Sequence, residues 1–272
     1  GLGKSGVAAA CFAKSRGARV TVSDMAPRET MAETVAAMER DGIGMELGPH
    51  RMATFEESDL IIVSPGVPDT IAPIAAARKN GIPVVGEFEL ATRFITTPVV
   101  AVTGTNGKTT SVTLLARMLE KSGLTVFLGG NIGNPLISYV DQETKTDVVV
   151  AEISSFQLDT ISTFRPRVSV LLNISEDHLD RYADFNAYAG AKGRIFSNQL
   201  ENDTAILNGS DPIVRALAFN TKARKLFFNY RTAGESGAGL DKEMLLFHGV
   251  PSLNSNNSGI DLSAAALSGM HN

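Results

Sequence analysis

Short apolar runs rich in β-branched residues recur along the chain, and several are followed by a turn and then by apolar positions at helical spacing. Val99, Val100 and Val102 form one such run, and Val112, Leu115, Met118 and Leu119 follow at intervals suited to one helix face. The same reading predicts strands over residues 18–24, 59–64, 82–85, 125–128, 147–152 and 167–173. Helices are predicted after Gly6 to about Arg16 and over residues 71–80, the second stopped by Gly81. Continuous apolar strands alternating with helices call for a parallel sheet covered on both faces. Residues 86–97 read as a crossing between two such units, and residues 204–250 as a β-rich stretch. The expected fold is therefore α/β. A Rossmann-like parallel-sheet domain occupies residues 1–93, and a second α/β domain with a small additional β region occupies 94–272, the boundary falling near Phe94. No internal repeat or low-complexity tract is visible.

Composition narrows the possibilities. With 272 residues, 43% of them hydrophobic, the chain is long enough for two ordinary cores. A net charge of −4 without a basic cluster excludes nucleic acid as a partner class. No apolar run approaches the ~20 residues of a membrane span. The single cysteine, Cys11, has no internal disulfide partner, which fits a reducing, cytoplasmic setting. Its neighbours Ala10, Phe12 and Ala13 predict a buried structural thiol.

The candidate chemistry centres on Gly104-Thr105-Asn106-Gly107-Lys108-Thr109-Thr110, placed between a strand and a helix. Such a turn points backbone N–H groups at phosphate oxygens, and the helix N-terminus and Lys108 add positive potential. Thr109 sets a hydroxyl where a phosphate-bound Mg²⁺ would lie. The match to the commonest phosphate-loop pattern is incomplete, because Val102 stands where a glycine is usual. The chain opens on Gly1-Leu2-Gly3-Lys4-Ser5-Gly6, a glycine turn without the strand that normally precedes one, so a fragment cut inside its first βα unit is expected. Asp24 follows Gly6 by 18 positions, near the spacing at which an acid meets a ribose in dinucleotide folds. A tight turn with a solvated aspartate stays open as the plainer reading.

Glu152 and His178 also lie just past strand ends, where open parallel sheets gather their ligands. Thr109 and Glu152 offer the hard oxygens Mg²⁺ prefers. For His178, metal ligation and a local hydrogen bond are both open. Gly129-Gly130-Asn131 can bring backbone close to a ligand, though surface turns look alike. His50, His248 and His271 read as ordinary surface, His248 within a hairpin, and Lys192 read alone is a solvated helix lysine.

Three segments together carry a resemblance. They are the Gly104–Thr109 loop, Glu152-Ile153-Ser154-Ser155-Phe156-Gln157-Leu158, and Asn173-Ile174-Ser175-Glu176-Asp177-His178-Leu179-Asp180-Arg181-Tyr182. In that order they resemble the Mur ligase family of peptidoglycan synthesis. With the opening glycine turn, the Ser-Ser-Phe-Gln-Leu run is most similar to the branch that adds D-glutamate to UDP-N-acetylmuramoyl-L-alanine.

The resemblance implies an ADP-forming ligase. ATP phosphorylates the substrate carboxylate, and the amine of D-glutamate displaces phosphate from the acyl phosphate. It implies that Lys108 holds the β- and γ-phosphates and that Thr109 and Glu152 hold a first Mg²⁺. His178 would serve a second Mg²⁺, and Lys192 matches a lysine carbamoylated in the family, whose carbamate supplies oxygen to metal. Asn131, Ser154 and Gln157 match positions contacting the muramoyl substrate. Gly3, Lys4, Ser5, Asp24 and Gly66 would hold the UDP end, and Asn272 would lie near the adenine. A third domain, carrying most of the D-glutamate pocket, would follow; without it the chain is expected to ligate weakly or not at all. The expected assembly is a monomer without a membrane span. The alternatives are a non-catalytic nucleotide-binding module, another Mur or folylpolyglutamate-type ligase, and a nicotinamide dehydrogenase, which would leave the phosphate loop, Glu152 and His178 idle.

Overall fold

A computed structural model describes residues 1–68, 70–141, 146–229, 236–241, 244–250 and 259–261, the backbone alone for 240–241 and 259–261. In the first part of the chain, β1 (Thr21–Asp24) pairs in parallel with β2 (Gly44–Leu47), and β3 (Ile61–Val63) with β4 (Val84–Gly86). Helices Lys4–Ser15, Ala32–Arg40 and Ala72–Lys79 connect and cover them. Val22, Val35, Met38 and Ile43 pack with Leu2 and Ala10, while Ile61, Val63, Ile74 and Ala77 form a second cluster.

Beyond this first part, the described residues build one nine-stranded sheet. Its strands are β5 (Val99–Thr103), β6 (Val126–Gly130), β7 (Val148–Glu152), β8 (Val168–Leu171), β9 (Thr204–Asn208), β10 (Arg224–Phe228), β11 (Gly237–Asp241), β12 (Met244–His248) and β13 (Gly259–Asp261). The spatial order is β6-β7-β5-β8-β9-β10-β11-β12-β13. Pairing is parallel from β6 to β11 and antiparallel beyond. The β-rich stretch thus extends the main sheet, with β11 and β12 as the hairpin that carries His248. Val149, Val150 and Ala151 are fully buried, as expected of a strand covered on both faces.

The strand order places the candidate site. After β5 the chain runs to β6 and β7 on one side, and after β8 it runs away on the other. The loops following β5 and β8 therefore open next to each other, at the reversal where such sheets leave a crevice.

Several expectations need correction. Cys11 is exposed. The helix Lys4–Ser15 turns Ala9, Ala10 and Phe12 inward, and the step of ~100° per residue leaves Cys11 facing out. Met118 is also exposed, because the helix Lys108–Lys121 buries Val112 and Ala116. Residues 86–97 contain a helix, Glu87–Thr92, whose inward acids hid the pattern. Residues 204–250 include the helix Pro212–Leu217, capped by Asp211, which accepts the Ile213 and Val214 N–H groups. His50 is half-buried, with Nδ1 2.7 Å from the Ser23 hydroxyl and its ring against Phe55.

Helix Lys4–Ser15 packs on Glu87–Thr92 and on Ile137–Val140. Phe12 belongs to the same apolar cluster as Phe88, Ile137 and Val149, so the first part of the chain shares a core with the large sheet. Arg16 reinforces this seam, lying over the Phe12 and Phe94 rings and pairing with Asp141. Among the described residues no helix is long and apolar enough to cross a membrane.

Candidate active site

The loop after β5 enters helix Lys108–Lys121 through Gly107, the N-cap, at φ 79°, a backbone region glycine reaches without penalty. Gly104 is equally restricted, because a side chain there would meet Leu172 Cβ at 3.0 Å. The loop is tied to the β8 loop. Thr105 N–H donates to the Asn173 carbonyl, Asn106 N–H to Asn173 Oδ1, and Asn173 Nδ2 to the Asn106 carbonyl. Lys108 Nζ folds back onto the Gly104 and Thr105 carbonyls, at 2.9 Å each.

Lys192 Nζ reaches the same Gly104 carbonyl, also at 2.9 Å. Its side chain is almost wholly buried, although sequence alone made it a solvated helix lysine. It lies over the Tyr188 ring, 4.8 Å from the centroid. Burial and then the charge of Lys108 lower its pKa to about 8, against the opposing pull of Asp177 and Glu152. Two cationic groups thus converge on one carbonyl oxygen.

Across the loop, Thr109 donates its hydroxyl proton to Glu152 Oε2 at 2.7 Å. Asn131 donates from Nδ2 to Glu152 Oε1 at 2.9 Å. Glu152 is buried at the end of β7 and Asn131 follows β6, so adjacent strands bring their side chains together. Thr110, in the same first turn, is exposed. Ser154 and Gln157 hold each other in a capping box that opens the helix Ser155–Asp159.

His178 lies beyond β8 at φ 54°, one of two non-glycine residues with positive φ among those described. Its imidazole sits 5.0 Å from the Phe156 ring and 6.1 Å from Tyr188. Tyr188 joins the groups, its hydroxyl 3.1 Å from the Thr105 hydroxyl. Sequence reading gave Tyr188 no role; the one available signal was its position four residues before Lys192, hence on the same helix face. Tyr182 stacks on Phe156 and donates to Asp159 Oδ2 at 2.6 Å.

The N-terminal candidates are arranged differently. Gly3 is the N-cap of Lys4–Ser15, with Lys4 exposed and Ser5 half-buried in the first turn. Asp24 accepts Leu2 N–H at 2.5 Å and Ala26 N–H at 2.8 Å, which ties the glycine turn to the end of β1. Burial pushes its carboxyl up, but those N–H donors, with the chain amino group and His50, bring it below the usual value. Gly66, at φ 88°, lines a cleft of about 350 Å³ together with Ser64, Phe156, Gln157, Arg181 and Tyr182. Asn272 and His271 lie outside the described residues.

Residues 102–271 match the Mur ligase middle domain, and residues 1–86 match the MurD-like N-terminal domain of Mur ligases. The chain belongs to the Mur ligase family. It is 48% identical, over its full length, to a UDP-N-acetylmuramoylalanine–D-glutamate ligase from Desulfatibacillum aliphaticivorans, covering 60% of that protein. It is 54% identical over 88% of its length to the same-named ligase of Desulfosudis oleivorans, covering 52%. The chain thus spans about half to three-fifths of the length of these two relatives.

In fold it resembles the UDP-N-acetylmuramate:L-alanyl-gamma-D-glutamyl-meso-diaminopimelate ligase of Neisseria meningitides. The TM-score is 0.60 at 20% identity, over 91% of this chain and 82% of that one. A murein peptide ligase of Psychrobacter arcticus gives 0.56 at 17% identity, over 99% and 60%.

Proposed function

We propose that this chain carries the UDP-substrate-binding and ATP-binding parts of a ligase that joins D-glutamate to UDP-N-acetylmuramoyl-L-alanine. In this reading residues 1–93 take the UDP end, residues 94–272 take ATP, and the setting is the cytoplasm. The observation that carries it is the convergence of Lys108 and Lys192 on the Gly104 carbonyl, beside the Thr109–Glu152 oxygen pair. Such a place suits a polyphosphate accompanied by a hard cation.

The donor set fits Mg²⁺ in one respect and not in another. Thr109 Oγ1 and Glu152 Oε2 are hard oxygens 2.7 Å apart, and Mg²⁺ completes such a pair with phosphate and water. Among the described residues no three His, Cys, Asp or Glu side chains gather as a metal site, so the fit is to an ion shared with phosphate. An ammonium at Lys192 offers only donors and does not fit as a ligand. Its carbamate would fit, and a depressed pKa keeps neutral amine available to attack CO₂, the nitrogen losing its proton as the N–C bond forms. When bound, Mg²⁺ would neutralise charge on the terminal phosphate and the acceptor carboxylate.

The side chains then have distinct tasks. Lys108 exchanges its carbonyl contacts for β- and γ-phosphate oxygens. Asn131 fixes one oxygen of Glu152 so that the other faces Thr109. His178 is set to meet the acceptor carboxylate or a second Mg²⁺, and Gln157 and Gly66 border the cleft in which the muramoyl part would lie. ATP supplies a good leaving group: its γ-phosphoryl group passes to the carboxylate as ADP leaves, and the incoming amine then bonds to the acyl carbon, loses a proton and displaces phosphate. Calorimetric titration with Mg-ATP and with UDP-N-acetylmuramoyl-L-alanine tests the reading. Both should bind, and Lys108→Ala should abolish the first alone. Absence of binding for both would overturn it, and phosphate release requiring both the UDP-substrate and D-glutamate would extend it to the complete reaction.

A further inference from the structure

The left-handed turn at His178 is closed by local hydrogen bonds and is linked to the first part of the chain through Arg181. His178 N–H donates to the Asp177 carboxylate at 2.9 Å, and the His178 carbonyl accepts N–H groups from Arg181 and Tyr182, at 2.9 and 3.3 Å. Short hydrogen bonds of this kind make the turn but do not orient it. A non-glycine residue stays at positive φ only where its surroundings over-determine it.

Two side chains leaving that turn supply the orientation. Tyr182 is anchored to Asp159 and stacked on Phe156, both on the helix Ser155–Asp159. Arg181 goes the other way. Its Nη2 donates to the Gly66 carbonyl at 2.5 Å, across the cleft and 115 positions away in the chain, and its guanidinium carbon lies 5.0 Å from the Phe156 centroid. The same Phe156 ring lies 5.0 Å from the His178 imidazole. The Phe156 ring therefore adjoins both the imidazole, tilted by 49° to it, and the guanidinium, and the guanidinium is fastened to the loop after β3. Arginine suits this task because its flat, delocalised fork can stack and donate at once, which a lysine ammonium cannot.

We propose that Arg181 is a positioning residue, a clasp on Gly66 through which the loop after β3 sets the turn and the imidazole of His178. The idea rests on the ligase reading only for what the imidazole is positioned to do. In that reading, the separation between the UDP-binding part and the phosphate loop would be registered at His178 before chemistry begins.

The test is an NMR spectrum of the ¹³C-histidine-labelled chain, which contains four histidines. The His178 ring signal is assigned by its loss in His178→Gln. In Arg181→Ala that signal should move towards the value of free histidine and broaden, while the other three stay in place and thermal unfolding is unchanged. Arg181→Lys, which keeps the donor but not the flat fork, should restore it in part. An unmoved His178 signal in Arg181→Ala would overturn the proposal. So would collapse of all four signals in both variants, since Arg181 would then be structural. The readout needs no ligand, so failure of the ligase reading is seen separately, as a His178 signal indifferent to Mg-ATP.

Discussion

A lysine enclosed away from water and facing another ammonium is pressed to give up its proton, and Lys192 meets both conditions. The carbamate proposed for this residue has a direct test. On incubation with ¹³C-bicarbonate the chain should gain a carbamate carbon signal, and Lys192→Ala should lack it. A complete ligase carrying that change should lose turnover, with small carboxylic acids restoring part of it by placing an oxygen where the carbamate stood. Glu87 is the opposite kind of buried group. Burial raises its carboxyl to about 7, against the lowering effect of the Ile137 N–H that its Oε1 accepts, while its Oε2 has no partner. Because the folded form holds this proton more tightly than the unfolded chain, Glu87 costs stability as pH rises from about 4.3 towards 7, and the full penalty stands above that. Glu87→Gln should therefore raise the melting temperature at pH 8 and leave it nearly unchanged at pH 4, as differential scanning calorimetry would record.

At the scale of elements, the helix Glu87–Thr92 is anchored by a second buried acid. Glu89 accepts N–H groups from Ser162, Thr163 and Phe164, the Thr163 hydroxyl and the Arg93 guanidinium. Burial raises its carboxyl, but these donors more than reverse the effect and leave the pKa lowered. A lowered folded value means that the contribution is present above the unfolded pKa of about 4.3 and is lost as pH falls through the folded one. Glu89→Ala strands several backbone donors and should cost on the order of 3 kcal/mol in urea unfolding at pH 7.

This helix also marks where sequence reading stopped. The strands of the main sheet were legible because Val148, Val149 and Val150 are buried on both faces and so form an uninterrupted apolar run. Glu87 and Glu89 look solvent-facing until their acceptor roles are known, and those depend on residues some 50 and 73 positions away. The site divides the same way. The phosphate loop was visible because its chemistry lies in consecutive residues, whereas the burial of Lys192 depends on Tyr188 and on a carbonyl 88 positions distant. Cys11 was misread because its apolar neighbours belong to two faces of one helix.

On the scale of the whole molecule, the first part of the chain is not free to drift. Phe12, 4% exposed, is packed into the core of the nine-stranded sheet, edge-on to Phe94. Phe12→Ala should cost about 3–5 kcal/mol. Calorimetry of the native chain should give one transition, while the variant should separate into two, the first part melting earlier.

The two cations that share the Gly104 carbonyl have an effect beyond holding a nucleotide. As long as Lys192 is an ammonium and not a carbamate, partial charges on one oxygen cannot fully satisfy a pair of full ones, so in CO₂-free solution the loop would behave as an ion exchanger in miniature. Any compact oxyanion, sulfate included, should raise the melting point and compete with ATP. Nucleotide affinity should in turn fall as ionic strength rises, more steeply in the native chain than in a Lys192→Met variant with a single cation left.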